Sequence, residues 1–276
     1  MNRLNFGTHA PFALLISSLM AIGGSTEALG ATEGTPEPVR RLEIVDRAIA
    51  FHGGDLYTSR ATRLDLCSKS GCFQVDAAMD GDRFDYRVRR ETEETRLEVR
   101  STNETLEVWR DGVQVEIEAA RAQGYRDWAM ARVYFCFLPF RLNDPSVLKQ
   151  DLGLVEWQGR KLHKVKVTFD AGSSTDASDE YVYWFDPESA RLEYFAYSYD
   201  DNGGGLRFRR AVNHRRVGGI LFFDQENLGS EDAELSVDAL DAEVVHDRLR
   251  QISTVRLENI RVEPVSQATA AQATAD

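Results

Sequence analysis

The chain has 276 residues, 42% of them apolar before its 20 glycines are counted and 28% charged, the make-up of a folded globular protein and not of a disordered or multi-span membrane chain. Its 45 acidic against 33 basic side chains leave a formal charge of −12, which excludes a nucleic-acid surface, whose first need is a basic stripe to meet the phosphates. No catalytic signature stands out.

The first residues place a short positive end at Arg3, an uncharged apolar run from Ala10 to Gly24, and small residues at Ala28 and Gly30 ahead of Ala31. That is the layout of a cleaved signal peptide over residues 1–30. The apolar run is shorter than the roughly 20 residues a spanning helix needs. No cysteine precedes Cys67, so no lipid-acceptor cysteine is present and the expectation is a periplasmic or secreted protein. One folded domain is expected over residues 31–263. The tail at 264–276, rich in Ala, Thr and Gln, offers no core residues and is expected to be disordered.

Leu42, Val45, Ala48, Ile49 and His52 recur at three- and four-residue steps and end at Gly53-Gly54, which predicts one amphipathic helix at the head of the domain. Cys67 and Cys72 then bracket Ser68-Lys69-Ser70-Gly71 between two alternating runs. They are expected to face each other across a hairpin with a four-residue loop and to be bonded in an oxidising compartment. A redox-active pair is the alternative. Phe84, Tyr86 and Val88 alternate with charged residues, as do Leu97 and Val99, and Asp111-Gly112 joins two further runs. These are strands with one wet face, the last pair closed by a type I′ turn.

Glu118 to Leu138 is too long for a strand and is closed by Pro139, giving a second helix that holds Cys136 as a buried thiol. Asp144-Pro145 reads as a cap and first-turn proline for a short third helix to Asp151. Strands resume at Leu154–Trp157, 161–169, 181–185, 191–199, 206–212, 217–227 and 251–262, with an acidic connection of some helical character over 235–249. In Tyr181 to Phe185 and in Leu192 to Tyr199 both parities are apolar or aromatic, so these strands need cover on two faces. Either helices pack one face while the other lines a cavity, or both faces are simply buried.

The phrases Ala48 to Gly54 (AIAFHGG), Leu138 to Pro145 (LPFRLNDP), His163 to Phe169 (HKVKVTF), Gly203 to Arg209 (GGGLRFR) and Gly219 to Asp224 (GILFFD) occur in this order. Together they resemble an uncharacterised family of exported bacterial proteins, similar in pattern to the lipoprotein-carrier superfamily (LolA/LolB- and LppX-like). The resemblance spans about residues 37 to 262. It implies a mainly β, α+β fold in which a single curved antiparallel sheet, a half-barrel, wraps two or three helices around an apolar groove for acyl chains. It brings no catalytic residues with it.

Hydrolytic chemistry near neutral pH needs a base held by a carboxylate. His52, beside Asp55, is the best placed for an exported hydrolase, although a helix C-terminal histidine also serves the helix dipole. His163, among lysines, reads as solvated. Asp200 to Gly205 and the group Asp176, Asp179 and Glu180 could offer oxygens to a hard cation but have no calcium-loop spacing and read as turns; no metal and no cofactor is expected. Asn103-Glu104-Thr105 is a sequon without consequence in a bacterial chain.

Arg207 and Arg209 share one strand face, where guanidinium groups can border an apolar groove and meet an acidic head group. The expected function is a non-enzymatic binding or carrier protein, monomeric, for a lipid or other hydrophobic, acylated ligand, with peripheral membrane contact compatible with that role. The lining expected for its groove is Trp128, Phe137, Trp184, Tyr194, Tyr197 and Phe208. An envelope scaffold that binds a protein partner at a sheet edge is the other non-enzymatic reading.

Overall fold

The structure, a computed structural model, describes residues 37–157, 159–170, 180–199, 205–229, 236–239 and 249–265. The expected signal peptide, the tail from residue 266 onward, the turn residues 200–204, Asp176 and Asp179 lie outside the described residues.

Thirteen strands form one antiparallel sheet: β1 (Arg60–Ser68), β2 (Gly71–Asp80), β3 (Arg83–Glu91), β4 (Arg96–Thr102), β5 (Leu106–Arg110), β6 (Val113–Val115), β7 (Val147–Trp157), β8 (Arg160–Phe169), β9 (Tyr181–Phe185), β10 (Leu192–Tyr199), β11 (Gly205–Val217), β12 (Ile220–Gly229) and β13 (Arg250–Pro264). Their order is β6-β5-β4-β3-β2-β1-β13-β12-β11-β10-β9-β8-β7. Two meanders are thus joined where β13 returns to lie between β1 and β12, and the sheet stays open at β6 and β7. Register shifts put an extra residue in β7, in β10, in β11 and twice in β13; each adds local twist and bends its strand.

Three helices, α1 (Glu43–His52), α2 (Leu56–Ser59) and α3 (Ala119–Cys136), pack on one face of the sheet, here called the inner face. In α1 the buried positions Ile44, Val45, Ala48 and His52 form one stripe. The helix stops at Gly53, where a β-carbon would sit 2.9 Å from the Tyr57 ring. α3 runs over β2, β3 and β4 and is anchored there by Arg126, which donates to the carbonyls of Thr102 and Thr105.

Inner-face residues of the first meander, among them Leu64, Val75, Tyr86, Val88 and Val99, make one core with α2 and α3. A second core joins α1 and Leu138 to Val165, Tyr183, Phe185, Phe195 and Phe223. The aromatic strands are covered on both sides. On the outer face Trp157, Leu162, Val182, Trp184, Tyr194, Ala196 and Phe208 pack with Val237 of a 3-10 turn, Val237–Ala239. Lys164 and Lys166 fasten that turn by bonds from their ammonium groups to the Asp238 carbonyl and carboxylate.

The structure corrects two local expectations. The third helix over 144–151 is absent: Asp144 pairs with Arg141 of the preceding 3-10 turn, Phe140–Asn143, at 2.6 Å and caps nothing. The chain after it alternates Val147 and Lys149 inward as the edge strand β7. The Cys67–Cys72 hairpin also closes more tightly than expected. Ser68 pairs with Gly71, so the loop is Lys69-Ser70, and the bonded cysteines are direct cross-strand partners.

Candidate apolar-ligand site

On the inner face of the second meander the aromatic side chains form a stacked wall. Tyr181 and Tyr197 lie 5.5 Å apart, Tyr183 and Phe195 6.1 Å apart, ring centre to ring centre. The last turn of α3 closes on them: Phe135 stacks on Phe195 at 5.9 Å and on Tyr197 at 5.5 Å, and the hydroxyls of Tyr134 and Tyr183 share a hydrogen bond of 3.0 Å. Burial pushes the Tyr134 hydroxyl up to about 12, against the opposing effect of the Tyr183 bond. Both phenols are therefore neutral, apolar bodies with polar tips that satisfy each other.

Arg209 lies over this wall. Its guanidinium carbon is 4.7 Å from the Phe135 ring centre and 5.4 Å from that of Tyr197. Nη1 donates to Gln225 Oε1 at 2.5 Å and Nη2 to the Tyr197 hydroxyl at 2.8 Å, while Nε is buried without a partner. Gln225 in turn donates to the Phe135 carbonyl at 2.7 Å. The cation is thus held by rings and neutral oxygens, with no carboxylate on it among the described residues. Arg207 is on the same face two residues earlier, opposite Tyr197, and Arg209 is opposite Phe195.

The residues expected to line one groove do not share one surface. Trp128, Phe137, Tyr197 and Arg209 are on the inner face; Trp184, Tyr194 and Phe208 are on the outer face, where Trp157 stacks on Phe208 at 5.3 Å. Phe137 is itself core, in edge contact with Tyr57 and Phe222. Tyr194 and Tyr197 fall on opposite faces by ordinary alternation, as does Phe208 from Arg207 and Arg209; the bulge between Leu192 and Tyr194 lies before both tyrosines. The wall residues missed from the sequence are Tyr134, Phe135, Tyr181, Tyr183 and Phe195. The odd-numbered stripe Tyr181-Tyr183-Phe185 was a usable signal once one face was known to meet a helix.

His52 is fully buried, and its Nε2 accepts the backbone N–H of Leu192 at 3.1 Å. Burial, reinforced by His214 and Arg216, lowers its pKa to about 3. Asp55 is exposed at the start of α2. The imidazole is therefore neutral, engaged by the backbone and, among the described residues, not bonded to a carboxylate, which is the opposite of the arrangement a general base needs. Among the described residues no group of three or more His, Cys, Asp or Glu could hold a metal ion, and no helix is long and apolar enough to cross a membrane.

A cleft of about 420 Å³ lies on the outer face of the first meander, around Arg63, Asp76, Asp85, Arg87, Arg89 and Arg100. Its charges neutralise one another: Arg89 bridges Asp76 at 2.5 Å and Glu98 at 3.0 Å, and Arg100 bridges Asp85 at 2.7 Å and Glu107 at 3.2 Å. It is a cross-strand ion-pair ladder with little charge left for a ligand.

Solved structures similar to the chain include a LolA superfamily protein from Nitrosomonas europaea (TM-score 0.48, 12% identity, 82% of this chain and 94% of that one). A putative outer membrane lipoprotein-sorting protein domain from Vibrio parahaemolyticus gives a TM-score of 0.47 at 10% identity over 84% and 96% of the two chains. A DUF1329 family protein from Desulfovibrio piger gives 0.46 at 11% identity over 85% and 98%. Comparison with curated proteins found no match. A family model described as "Family of unknown function (DUF6503)" matches residues 49–258, and the chain belongs to that family.

Proposed function

We propose that this chain is an exported, non-enzymatic carrier that holds the apolar part of a lipid or other acylated molecule against the inner face of its sheet, beside the end of α3. The observation that carries this reading is the meeting of Phe135 with Phe195 and Tyr197 beneath Arg209. Large rings are gathered there around a cation with no carboxylate on it among the described residues, and Tyr134, Phe135 and Arg209 keep part of their surface open. An apolar chain would gain about 25 cal/mol for each Å² it buries against the open parts of Tyr134 and Phe135, the strand rings beneath them being buried already, and Arg207 and Arg209 border the place where a polar end would emerge.

The test is to express the full chain with its own leader in a bacterial periplasm, purify it without detergent, and look for a bound amphiphile by native mass spectrometry and solvent extraction. A co-purifying lipid, displaced by saturable binding of the uncharged probe N-phenyl-1-naphthylamine, is the expected result. Protein that carries no lipid and does not bind the probe would overturn the carrier reading.

A further inference from the structure

The middle of α3 carries a second cation that has no acid partner among the described residues. Arg132 is 7% exposed, and its single hydrogen bond runs from Nη1 to the Trp128 carbonyl of its own helix at 2.8 Å. Its guanidinium carbon lies 4.7 Å from the centre of the Trp128 ring and 5.0 Å from that of Phe73. Arg90, the cross-strand neighbour of Phe73, lies over the same Phe73 ring at 5.3 Å and, among the described residues, bonds only the Ser70 carbonyl, at 3.5 Å. Two like charges therefore meet at one ring, at the hairpin end of the inner face.

This is anomalous in a chain with 45 acidic residues. Three half-buried arginines have acids, Arg89 with Asp76 and Glu98, Arg141 with Asp144, and Arg215 with Asp224, whereas Arg132, like Arg209, has none among the described residues. Asp127, close to Arg132 in the chain, instead takes a bond from Gln123 at 2.7 Å. Burying a guanidinium without a counter-charge is unfavourable, and ring faces recover only part of that loss. Burial, with Arg90 adding to it, lowers the Arg132 pKa to about 9, so the cation is charged at neutral pH and held in an environment that disfavours it. An oxyanion between the two guanidinium groups would relieve both their repulsion and their lack of acceptors. Phe73, Trp128 and Arg132 are buried, while Arg90 is half-buried, so the cluster reaches the surface through Arg90.

We propose that Arg90 and Arg132, seated on Phe73 and Trp128, form a binding site for a phosphate or carboxylate group, the head of the amphiphile whose apolar part lies on the inner face. The proposal rests on the carrier reading for the source of that group, but the arginine pair stands on its own geometry. Arg209 is the weaker anchor because both of its η nitrogens are already taken by Gln225 and Tyr197.

Equilibrium binding with three probes separates the possibilities: dodecyl phosphate, dodecanol with the same chain and no charge, and inorganic phosphate alone. Wild-type protein is expected to bind dodecyl phosphate at least tenfold more tightly than dodecanol, with the advantage lost in Arg132→Met and in the more exposed Arg90→Gln, while dodecanol binding stays unchanged. Thermal melts establish that both variants fold. Inorganic phosphate that binds alone and is lost in both variants would support the site with a free anion as its source, even if the carrier reading failed. Equal affinity for dodecyl phosphate and dodecanol in the wild type, or a phosphate advantage that survives both substitutions, would overturn the site while leaving the carrier reading intact.

Discussion

His52 Nε2 accepts the backbone N–H of Leu192, and His214 Nε2 holds the carbonyl of the same residue at 3.2 Å. Leu192 is where β10 steps out of register with β9, so two ring nitrogens supply hydrogen bonds that the ladder loses at the bulge. The two rings also pack on Phe223, at 6.1 and 5.5 Å. The histidine in the AIAFHGG phrase is thus a structural clamp between α1 and the aromatic strands. Its removal is expected to cost about 2–3 kcal/mol, the penalty for a buried donor left unpaired together with a small cavity. A fall in the urea midpoint of His52→Ala at unchanged slope would register it.

The same clamp predicts an acid-side signature. The folded-state pKa of His52 is depressed to about 3 from the ordinary 6.5, so as pH falls the unfolded chain takes the proton first. The stability this residue contributes is complete above pH 6.5 and is lost as pH falls toward 3, at a slope of at most about 1.4 kcal/mol per pH unit. The stability gap between wild type and His52→Asn should therefore narrow from pH 7 to pH 4. His214, whose pKa burial also lowers, is present in both proteins and largely cancels.

Much of this architecture was legible in the sequence because it depends on period. The switch from three- and four-residue steps in α1 to alternation in β3 and β4, the Asp111-Gly112 turn with both residues at positive φ, and the Cys67–Cys72 pair are local signals that the tertiary structure leaves undisturbed. What failed depended on long-range contact. Asp144 carries the signature of a helix cap, but the residues after it pair with β8 as the edge strand β7. Tyr194 and Tyr197 alternate to opposite faces, and nothing within the strand says which of those faces meets a helix. Arg132 and Phe73 are far apart in the chain, and nothing in either neighbourhood announces that they meet.

Lys149 offers a test on the alkaline side. It is fully buried on the edge strand, and its ammonium donates to the carbonyls of Leu142 at 2.6 Å and Val147 at 3.2 Å. Burial, with Arg41 the next contributor, lowers its pKa to about 8 from 10.5. Between pH 8 and 10.5 the unfolded chain therefore holds more protons than the folded one, and the contribution of this residue to stability rises with pH. The Cys136 thiol, held protonated by burial in the folded protein, loses its proton in this range only when unfolded, so the comparison must be made against Lys149→Met, in which that effect cancels. The free-energy difference should move in favour of the wild type by up to about 1.4 kcal/mol per pH unit from pH 8 to 10.

The three cysteines should behave as two classes. Cys136 is buried and donates to the Arg132 carbonyl at 3.0 Å, and burial raises its pKa well above the ordinary thiol value. It should therefore resist thiol reagents in the native protein and react once unfolded. Opening the Cys67–Cys72 bond removes a cross-link across a short loop, worth about 2 kcal/mol in the chain-entropy account. Cys67→Ser with Cys72→Ser should melt at the temperature of the reduced wild type, and dithiothreitol should not lower it further.

The two faces of the aromatic strands can be separated with one substitution on each. Trp184 is fully buried on the outer face, 5.7 Å from Phe208 in edge contact, with a 3-10 turn fastened over that layer. Trp184→Phe leaves a void beneath that cover, so it should lower stability by about 1–2 kcal/mol and leave binding of N-phenyl-1-naphthylamine within twofold of the wild type. Phe135 belongs to the other face, is partly open, and packs on the wall itself. Phe135→Ala should cost less stability than truncating a sealed ring yet weaken the probe about tenfold, a loss of about 1.4 kcal/mol. Equal melts and equal binding in both variants would mean that neither layer carries the ligand. The reversed pattern, with binding lost in Trp184→Phe and kept in Phe135→Ala, would put the ligand beneath the 3-10 turn on the outer face and leave the inner aromatic wall as core.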